Sequence, residues 1–158
     1  MIPATTCPKY EESEPDMSQS PTSAITGGCQ CGAVRYELSE PLHDVAHCHC
    51  SMCRKAHGSL FASFGRARRD SLALTGDENL TDYESSTGMV RRFCKGCGGQ
   101  VLIMSEDAPE VFFVALGSLD AGQSPGHATG EERHIFWESK VDWYDPNDDL
   151  PKATGYGE

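Results

Sequence analysis

Residues 94–99 read CKGCGG, in which two cysteines are separated by two residues and followed by two glycines. Cys94 and Cys97 face each other across a tight turn, a spacing typical of a zinc knuckle. Gly98 and Gly99 follow where backbone N–H groups must approach the sulfurs closely, which favours residues without a side chain. The stretch therefore predicts that two thiolates are held on one side of a hairpin turn.

A second cysteine pair stands near the start of the chain, where residues 29–31 read CQC. In extended backbone, Cys29 and Cys31 point to the same face, so both thiolates can reach one ion. Together with the later pair they make four thiolates, the ligand set of a closed tetrahedral zinc site. The spacing predicts a structural zinc that ties the start of the domain to the later hairpin.

A third group of cysteines lies between the two pairs, where residues 48–53 read CHCSMC. Cys48 and Cys50 share a face if the backbone is extended, and Cys53 returns to Cys50 across one helical turn. Three protein ligands with a fourth position open form the arrangement of a catalytic zinc. The sequence therefore predicts a second, catalytic metal site.

The cysteines and nearby histidines can be assigned to metal sites in other ways. Among the nearby His43, His47, His49 and His57, the last is the best placed to close the second site, four residues after Cys53. His47 and His49 alternate with the cysteines, so we expect them to be packed or exposed on the opposite face. A single cluster of all seven sulfurs is a further alternative. An iron–sulfur cluster is a weaker one, because the spacing differs from the common ferredoxin patterns.

Composition narrows the class of protein. The chain has 158 residues, a length that fits one domain. It carries 13 Lys and Arg against 24 Asp and Glu, a formal charge of −11, which makes direct nucleic-acid binding an unfavourable interpretation. We expect no membrane contact, because the longest apolar run is far too short to span a bilayer. Clustered cysteines without a recognisable secretory leader favour metal binding in a reducing, cytoplasmic setting.

The chain divides into three parts by composition. Residues 1–24 are rich in Pro, Ser, Thr and Glu, which predicts a disordered or loosely docked tail with Cys7 as a bystander. Residues 25–152 form the predicted domain, and 153–158 a C-terminal tail. Alternating patterns and turn residues predict a mainly β fold with short helical turns. The predicted strands are 33–38, 60–64, 72–74, 89–93, 101–104, 111–116 and 134–137, with a helical turn over 51–57.

Three of these motifs, in this order, resemble one known family. Residues 27–36 (GGCQCGAVRY), 48–59 (CHCSMCRKAHGS) and 93–99 (FCKGCGG) are similar to motifs of the glutathione-dependent formaldehyde-activating enzymes, a family that also contains the centromere protein V group. Residues 134–140, Trp143 and 149–151 resemble the family's closing segment. The resemblance covers residues 25–152.

The resemblance implies a zinc-stabilised β-tent of small antiparallel sheets and two Zn²⁺ per chain. It implies that glutathione and formaldehyde are joined into S-hydroxymethylglutathione, a carbon–sulfur lyase reaction when reversed. Another thiol or aldehyde as substrate is left open, as is the oligomeric state. The ligand sets that it implies are Cys29, Cys31, Cys94 and Cys97 for the structural zinc, and Cys48, Cys50 and Cys53 for the zinc where glutathione is thought to act.

Residues that flank the second site are candidates for binding substrate. Arg54, Lys55 and Ser59 are candidates for the carboxylates of glutathione, His57 lies close by, and Trp143 is a candidate cap over a cleft. For each of the first three, an ordinary solvated turn is the competing interpretation.

One pair of basic residues and one alternative function also follow from the sequence. Arg91 and Arg92 form a small basic patch, which is more often a solvated strand face than a binding site. A zinc-stabilised binding module, or a thiol carrier without catalysis, is the alternative to an enzyme. Seven thiolates and two zinc ions would take the net charge from −11 to −14, which disfavours a chromatin-binding role.

Overall fold

The computed structural model describes residues 24–157. Residues 1–23 of the predicted N-terminal tail, which include Cys7, lie outside the described residues. The described part is mainly β, which confirms the predicted fold class. Its one α-helix, α1, spans Ser51–His57. Its ten strands are β1 (Ile25–Gly28), β2 (Arg35–Leu38), β3 (His43–Cys48), β4 (Ala62–Arg68), β5 (Leu72–Thr75), β6 (Leu80–Ser86), β7 (Met89–Cys94), β8 (Gln100–Ser105), β9 (Val111–Ala115) and β10 (Glu132–Ile135).

The strands form two sheets. The smaller has the order β1-β2-β5, and the larger has the order β10-β3-β4-β9-β8-β7-β6. Neighbouring strands are antiparallel, except that β10 runs parallel to β3, with His134 opposite His47. Strands β1, β3 and β6 are absent from the sequence prediction. The largest sheet thus joins the chain's early, middle and late segments side by side.

Each group of cysteines lies in its own apolar cluster. The first cluster packs Leu38 of the small sheet against Leu102 and Val114 of the large sheet, and it includes Cys29 and Cys94. The second cluster surrounds Cys48 and Cys53 on the large sheet and includes Phe64, Ile103 and Ile135. Burial therefore fixes two cysteines of each group within packed regions of the fold, whereas Cys31 is exposed.

The segment predicted as a C-terminal tail lies alongside β10. His134 N donates to the carbonyl of Pro151 (2.8 Å), and Ala153 N donates to the carbonyl of His134 (2.9 Å). Further on, the Tyr156 ring packs edge-on against Phe136, with 4.9 Å between ring centroids. The boundary at residue 152 stays a prediction, although the chain beyond it contacts the fold.

The only α-helix in the part of the chain described is α1, with seven residues. Neither it nor any other helical segment found there has the length and apolar character required to cross a membrane.

Candidate metal centres and the adjoining pocket

The first candidate centre brings together the two cysteine pairs that lie far apart in sequence. The sulfurs of Cys29, Cys31, Cys94 and Cys97 all lie within 4.8 Å of one another. Two of these distances are 3.5 Å, between Cys29 and Cys31, and 3.7 Å, between Cys31 and Cys94. Four sulfurs at ~2.3 Å from a tetrahedral zinc would be ~3.8 Å apart. The donor set and its spacing therefore fit zinc.

Backbone hydrogen bonds at the β7–β8 turn hold the later pair in place. Cys94 N donates to the carbonyl of Gly99 (2.9 Å), and Gly98 N donates to the carbonyl of Cys94 (2.8 Å). Gly98 has φ +72°, a left-handed conformation that glycine adopts without steric cost. On the other side, Val34 N donates to Cys29 Sγ (3.3 Å). Backbone hydrogen bonds of the turn thus hold the later pair, and an N–H donor to sulfur holds Cys29.

The four thiols of the first centre share their protons unequally. Burial raises the pKa of Cys29, but the backbone N–H of Val34 and the neighbouring thiols outweigh it, so the pKa falls to about 6. The backbone N–H of Ala33 lowers the pKa of Cys31, yet its three neighbouring sulfurs raise it to about 11. Placing four thiolates together is unfavourable without a cation, which is the chemistry of a metal ligand set.

The second candidate centre is formed where β3 ends and α1 begins. The sulfurs of Cys48, Cys50 and Cys53 lie within 4.8 Å of one another. Cys50 is the N-cap of α1, and its Sγ accepts a hydrogen bond from Cys53 N (3.3 Å). Within residues 24–157, no fourth His, Cys, Asp or Glu joins this group, and the group is separate from the first. The alternatives in which His57 closes this site, or all seven sulfurs form one cluster, do not match this geometry.

Arg91 is a member of the second centre that the sequence analysis missed. The sequence pattern favours an exposed basic patch for Arg91, but this residue is only 5% exposed. Its Nη2 donates to Cys53 Sγ at 3.4 Å. The pKa of Cys53 falls to about 5, because the Cys48 thiol donates to it and because Arg91, against the effect of burial, stabilises the thiolate. The pKa of Cys48 is raised by that same pairing.

Histidines on the back of β3 form a separate buried network. His49 is 2% exposed, and its Nε2 lies 2.8 Å from Nδ1 of His134. The Nε2 of His134 lies 3.0 Å from the Asp148 carboxylate, so the network assigns that proton to Nε2 and makes Nδ1 an acceptor for His49. His47 lies between Ser63 Oγ (2.7 Å) and Glu132 Oε1 (2.8 Å). The hydrogen bond to His134 thereby fixes His49, which lies between Cys48 and Cys50. Nothing in the sequence around His134 indicates this contact.

A pocket of about 710 Å³ lies against Cys29 of the first centre and against the helix that carries Cys53. His57 and Ser59 line it, as do Ala62 and Ala115. The two alanines belong to the apolar cluster that includes Cys48 and Cys53, but the three cysteines of the second centre are not part of the wall.

The remaining candidate substrate residues lie elsewhere. Arg54 Nε donates to the carbonyl of His49 (3.1 Å), and neither Arg54 nor Lys55 lines the pocket. Trp143 is 75% exposed and lies outside the wall. The pocket instead presents Gln100, a residue that the sequence analysis did not single out, and its buried Nε2 has no hydrogen-bond partner among residues 24–157.

His57 should give the protein a measurable sensitivity to acid. Burial, together with the nearby Arg91, lowers the pKa of His57 to about 4. The unfolded chain, with a histidine pKa of ~6.5, then takes up a proton between about pH 6.5 and 4 that the folded chain does not, so stability falls as the pH falls through that window.

The free energy of unfolding should therefore fall less with acid in His57→Gln than in the unaltered protein. We expect the difference to be about 2 kcal/mol, allowing for partial solvent screening. Urea unfolding of both proteins at a series of pH values between 7 and 4 measures the difference. Any metal released by acid affects both proteins alike. Stability curves that run parallel over the whole window would contradict the assignment.

Comparison with known proteins identifies the family. Residues 24–139 match the family model described as glutathione-dependent formaldehyde-activating enzyme. A protein of Halomonas elongata named "Putative glutathione-dependent formaldehyde-activating enzyme" is 29% identical over 126 residues, which cover 75% of this chain and 78% of that protein. An uncharacterized lyase of Schizosaccharomyces pombe is 30% identical over 90 residues, 56% of this chain and 63% of the relative.

A solved structure shares the fold of this chain. A crystal structure of a Rhodobacter sphaeroides protein superposes with a TM-score of 0.51 at 27% identity, and covers 82% of this chain and 98% of that one. The family match includes all seven cysteines of the two candidate centres. The chain therefore belongs to the family of glutathione-dependent formaldehyde-activating enzymes.

Proposed function

We propose that this protein is a zinc-dependent enzyme of the carbon–sulfur lyase type, which joins glutathione and formaldehyde into S-hydroxymethylglutathione and catalyses the reverse reaction. The observation that carries the proposal is the pairing of a closed four-cysteine group with a separate three-cysteine group beside a pocket. Family membership supports the same reaction class.

The two groups would hold two zinc ions with different roles. Cys29, Cys31, Cys94 and Cys97 would hold a structural ion, because four protein sulfurs leave no position for substrate. Cys48, Cys50 and Cys53 would hold the second, with one position open. There, zinc supplies a positive centre that lowers the pKa of a thiol or polarises a carbonyl. Because seven reduced cysteines are needed, we expect the protein to work in a reducing compartment such as the cytoplasm.

The pocket would bind and orient the thiol substrate. Its volume lies in the range of small-molecule sites, and its wall carries the polar side chains of Ser59 and Gln100, together with Ser63, whose Oγ is already bonded to His47. These groups can donate to or accept from the amide groups of a tripeptide. Arg35 lies in the same wall, but both of its terminal nitrogens are bonded to Asp120, which leaves it less free to bind a carboxylate. Holding thiol and aldehyde together would replace a bimolecular encounter by a local step.

The chain also provides a group that can carry the reaction's proton. When the thiolate sulfur attacks the aldehyde carbon, a C–S bond forms, the C=O π electrons move to oxygen, and the oxygen takes a proton. His57 lies in the pocket wall on the helix that carries Cys53, and its Nε2 has no partner among residues 24–157. The low pKa of His57 keeps it neutral near pH 7, so it can relay a proton without adding a charge. Arg54, Lys55 and Trp143 stay candidates only for contacts outside the pocket.

The test combines metal content with exchange kinetics. Protein purified under reducing conditions should contain about two zinc ions per chain. Exchange of ¹³C-formaldehyde with its glutathione adduct, followed by NMR, should then proceed above the spontaneous rate in proportion to enzyme concentration. Replacing glutathione by other thiols, and formaldehyde by other aldehydes, would reveal a different substrate pair. A protein with both ions that binds glutathione but never exceeds the spontaneous rate would instead be a thiol carrier.

A further inference from the structure

Arg91 is a buried cation that has no carboxylate partner in the described part of the chain. Its side chain is 5% exposed on β7, and no ion pair found among residues 24–157 includes it. Its one side-chain hydrogen bond there runs from Nη2 to Cys53 Sγ, and its buried Nη1 has no partner. Because burying an unpaired charge is strongly unfavourable, the negative charge that balances Arg91 must come from the thiolates beside it.

The neighbouring arginine shows that this arrangement belongs to position 91 rather than to the strand. Arg92 pairs with Asp77 (3.0 Å) and Asp82 (2.9 Å), both of which are largely exposed. Successive residues of a strand point to opposite faces, so Arg91 is directed toward the cluster of Cys53 and Ile103 while Arg92 is directed away from it.

The charges of the second centre explain what Arg91 can do. A divalent ion with three thiolates carries −1, and Arg91 brings this region to neutrality. Two further titratable groups interact with this region, and neither adds a charge near pH 7. The pKa of His57 is lowered to about 4 by burial and by Arg91, and the pKa of Tyr156 is raised by burial and by the three cysteines. A thiolate arriving as a fourth ligand would take the centre from 0 to −1 with Arg91, but from −1 to −2 without it.

We propose that Arg91 is a positioning residue that neutralises the three-cysteine centre and so allows it to accept an anionic thiolate as fourth ligand. The proposal rests on the proposed function, since it takes the ligand at the open position to be a thiol substrate. The unpartnered Nη1 leaves a further N–H donor on the guanidinium group whose Nη2 contacts Cys53. At distances of roughly 6 Å and an effective dielectric constant of 20 to 40, one charge changes thiolate affinity by about 10- to 100-fold.

The experiment measures thiol binding without any reaction. The protein is loaded with Co²⁺, whose sulfur-to-cobalt charge-transfer absorption reports each thiolate ligand, and is titrated with glutathione and with 2-mercaptoethanol. We expect Arg91→Gln to weaken the binding of both thiols by about 10- to 100-fold, and Arg91→Lys to stay within a few-fold of the unaltered protein. Arg92→Gln, on the same strand, is the matched control and should change nothing. The four-cysteine centre, whose own cobalt spectrum should persist, verifies folding in each variant.

The outcomes separate this proposal from the proposed function. Equal thiol affinity in Arg91→Gln and the unaltered protein would overturn the role of Arg91 and leave the proposed function intact. A loss confined to glutathione would also overturn it, because 2-mercaptoethanol lacks carboxylates and Arg91 would then bind those instead. No thiol response in the unaltered protein would overturn both.

One further comparison covers a loss of metal. If Arg91→Gln retains a single cobalt ion, the decision rests on Arg91→Lys with two ions. A fall in its affinity of tenfold or more would show that charge is not what matters, whereas near-native affinity would support the proposal.

Discussion

Replacing Cys94 by serine is expected to remove the first metal ion and, with it, the folded state of the domain. Cys94 is fully buried in the cluster that joins the two sheets, and its sulfur lies 3.7 Å from that of Cys31. Structural zinc contributes about 10–16 kcal/mol in small zinc-binding peptides, whereas a whole domain has a net stability of only about 5–15 kcal/mol. Losing one of the four thiolates should therefore remove most or all of the free energy of unfolding.

The measurement is zinc per chain together with thermal unfolding monitored by circular dichroism. Cys94→Ser should have at least one zinc ion fewer than the unaltered protein, and should show no cooperative transition or a greatly lowered Tm. Cys7→Ser is the matched control, because it removes a cysteine that the sequence analysis places outside both centres. A Cys94→Ser protein that retained two ions and its Tm would refute the assignment of a structural centre.

Replacing Cys53 by serine is expected to have the opposite profile: loss of activity with a preserved fold. The sulfur of Cys53 belongs to the three-cysteine group alone. Serine is nearly isosteric, and its hydroxyl can still accept from Arg91. We therefore expect zinc content to fall from about two ions to about one, and exchange catalysis to fall by at least about 100-fold. Cooperative unfolding should persist at a lower Tm, because the four-cysteine centre keeps its ion although Arg91 loses a thiolate partner.

Met52 provides the control for this experiment. It lies on the same helix and is 50% exposed, so Met52→Ala should leave metal content and activity unchanged. If the unaltered protein and Cys53→Ser both held one zinc ion, the metal would be purely structural. The interpretation as a binding module would then be preferred over that of an enzyme.

Spacing between cysteines predicts the three short clusters, because local geometry dictates which neighbouring sulfurs can converge. The same reasoning predicts that His47 and His49 lie behind the cysteines, where His49 is buried. The association of the two pairs in the first group depends on a contact across 63 residues, which spacing alone does not dictate.

The missed strands depend on partners that a local pattern does not show. β3 begins with the polar residues His43 and Asp44, so its start lacks an alternating apolar pattern. Asp44 also departs from extended backbone, with φ +50°. Its neighbours β4 and β10 supply the hydrogen bonds that make it a strand. β6 is an edge strand with mostly polar residues, which is common at sheet edges and resembles a loop in sequence.

Arg91 was misinterpreted for a related reason. Two adjacent arginines look like one charged surface when the sequence is considered alone, although strand geometry separates them onto opposite faces. That Arg91 is the buried one of the two follows only from its position opposite Ile103 of β8, in the cluster that includes Cys53. The pocket residue Gln100 was missed likewise, since it is brought to the wall by tertiary packing.

The parallel pairing of β10 with β3 has a consequence for the order in which the protein can be completed during synthesis. All four ligands of the first centre have been synthesised by residue 97, whereas β3, which ends in Cys48, gains its outer neighbour only with residues 132–135. Until then, one side of β3 is an open sheet edge available to other chains. Nascent or truncated chains that stop before β10 should therefore be the species most prone to aggregation, even when their first zinc is already bound.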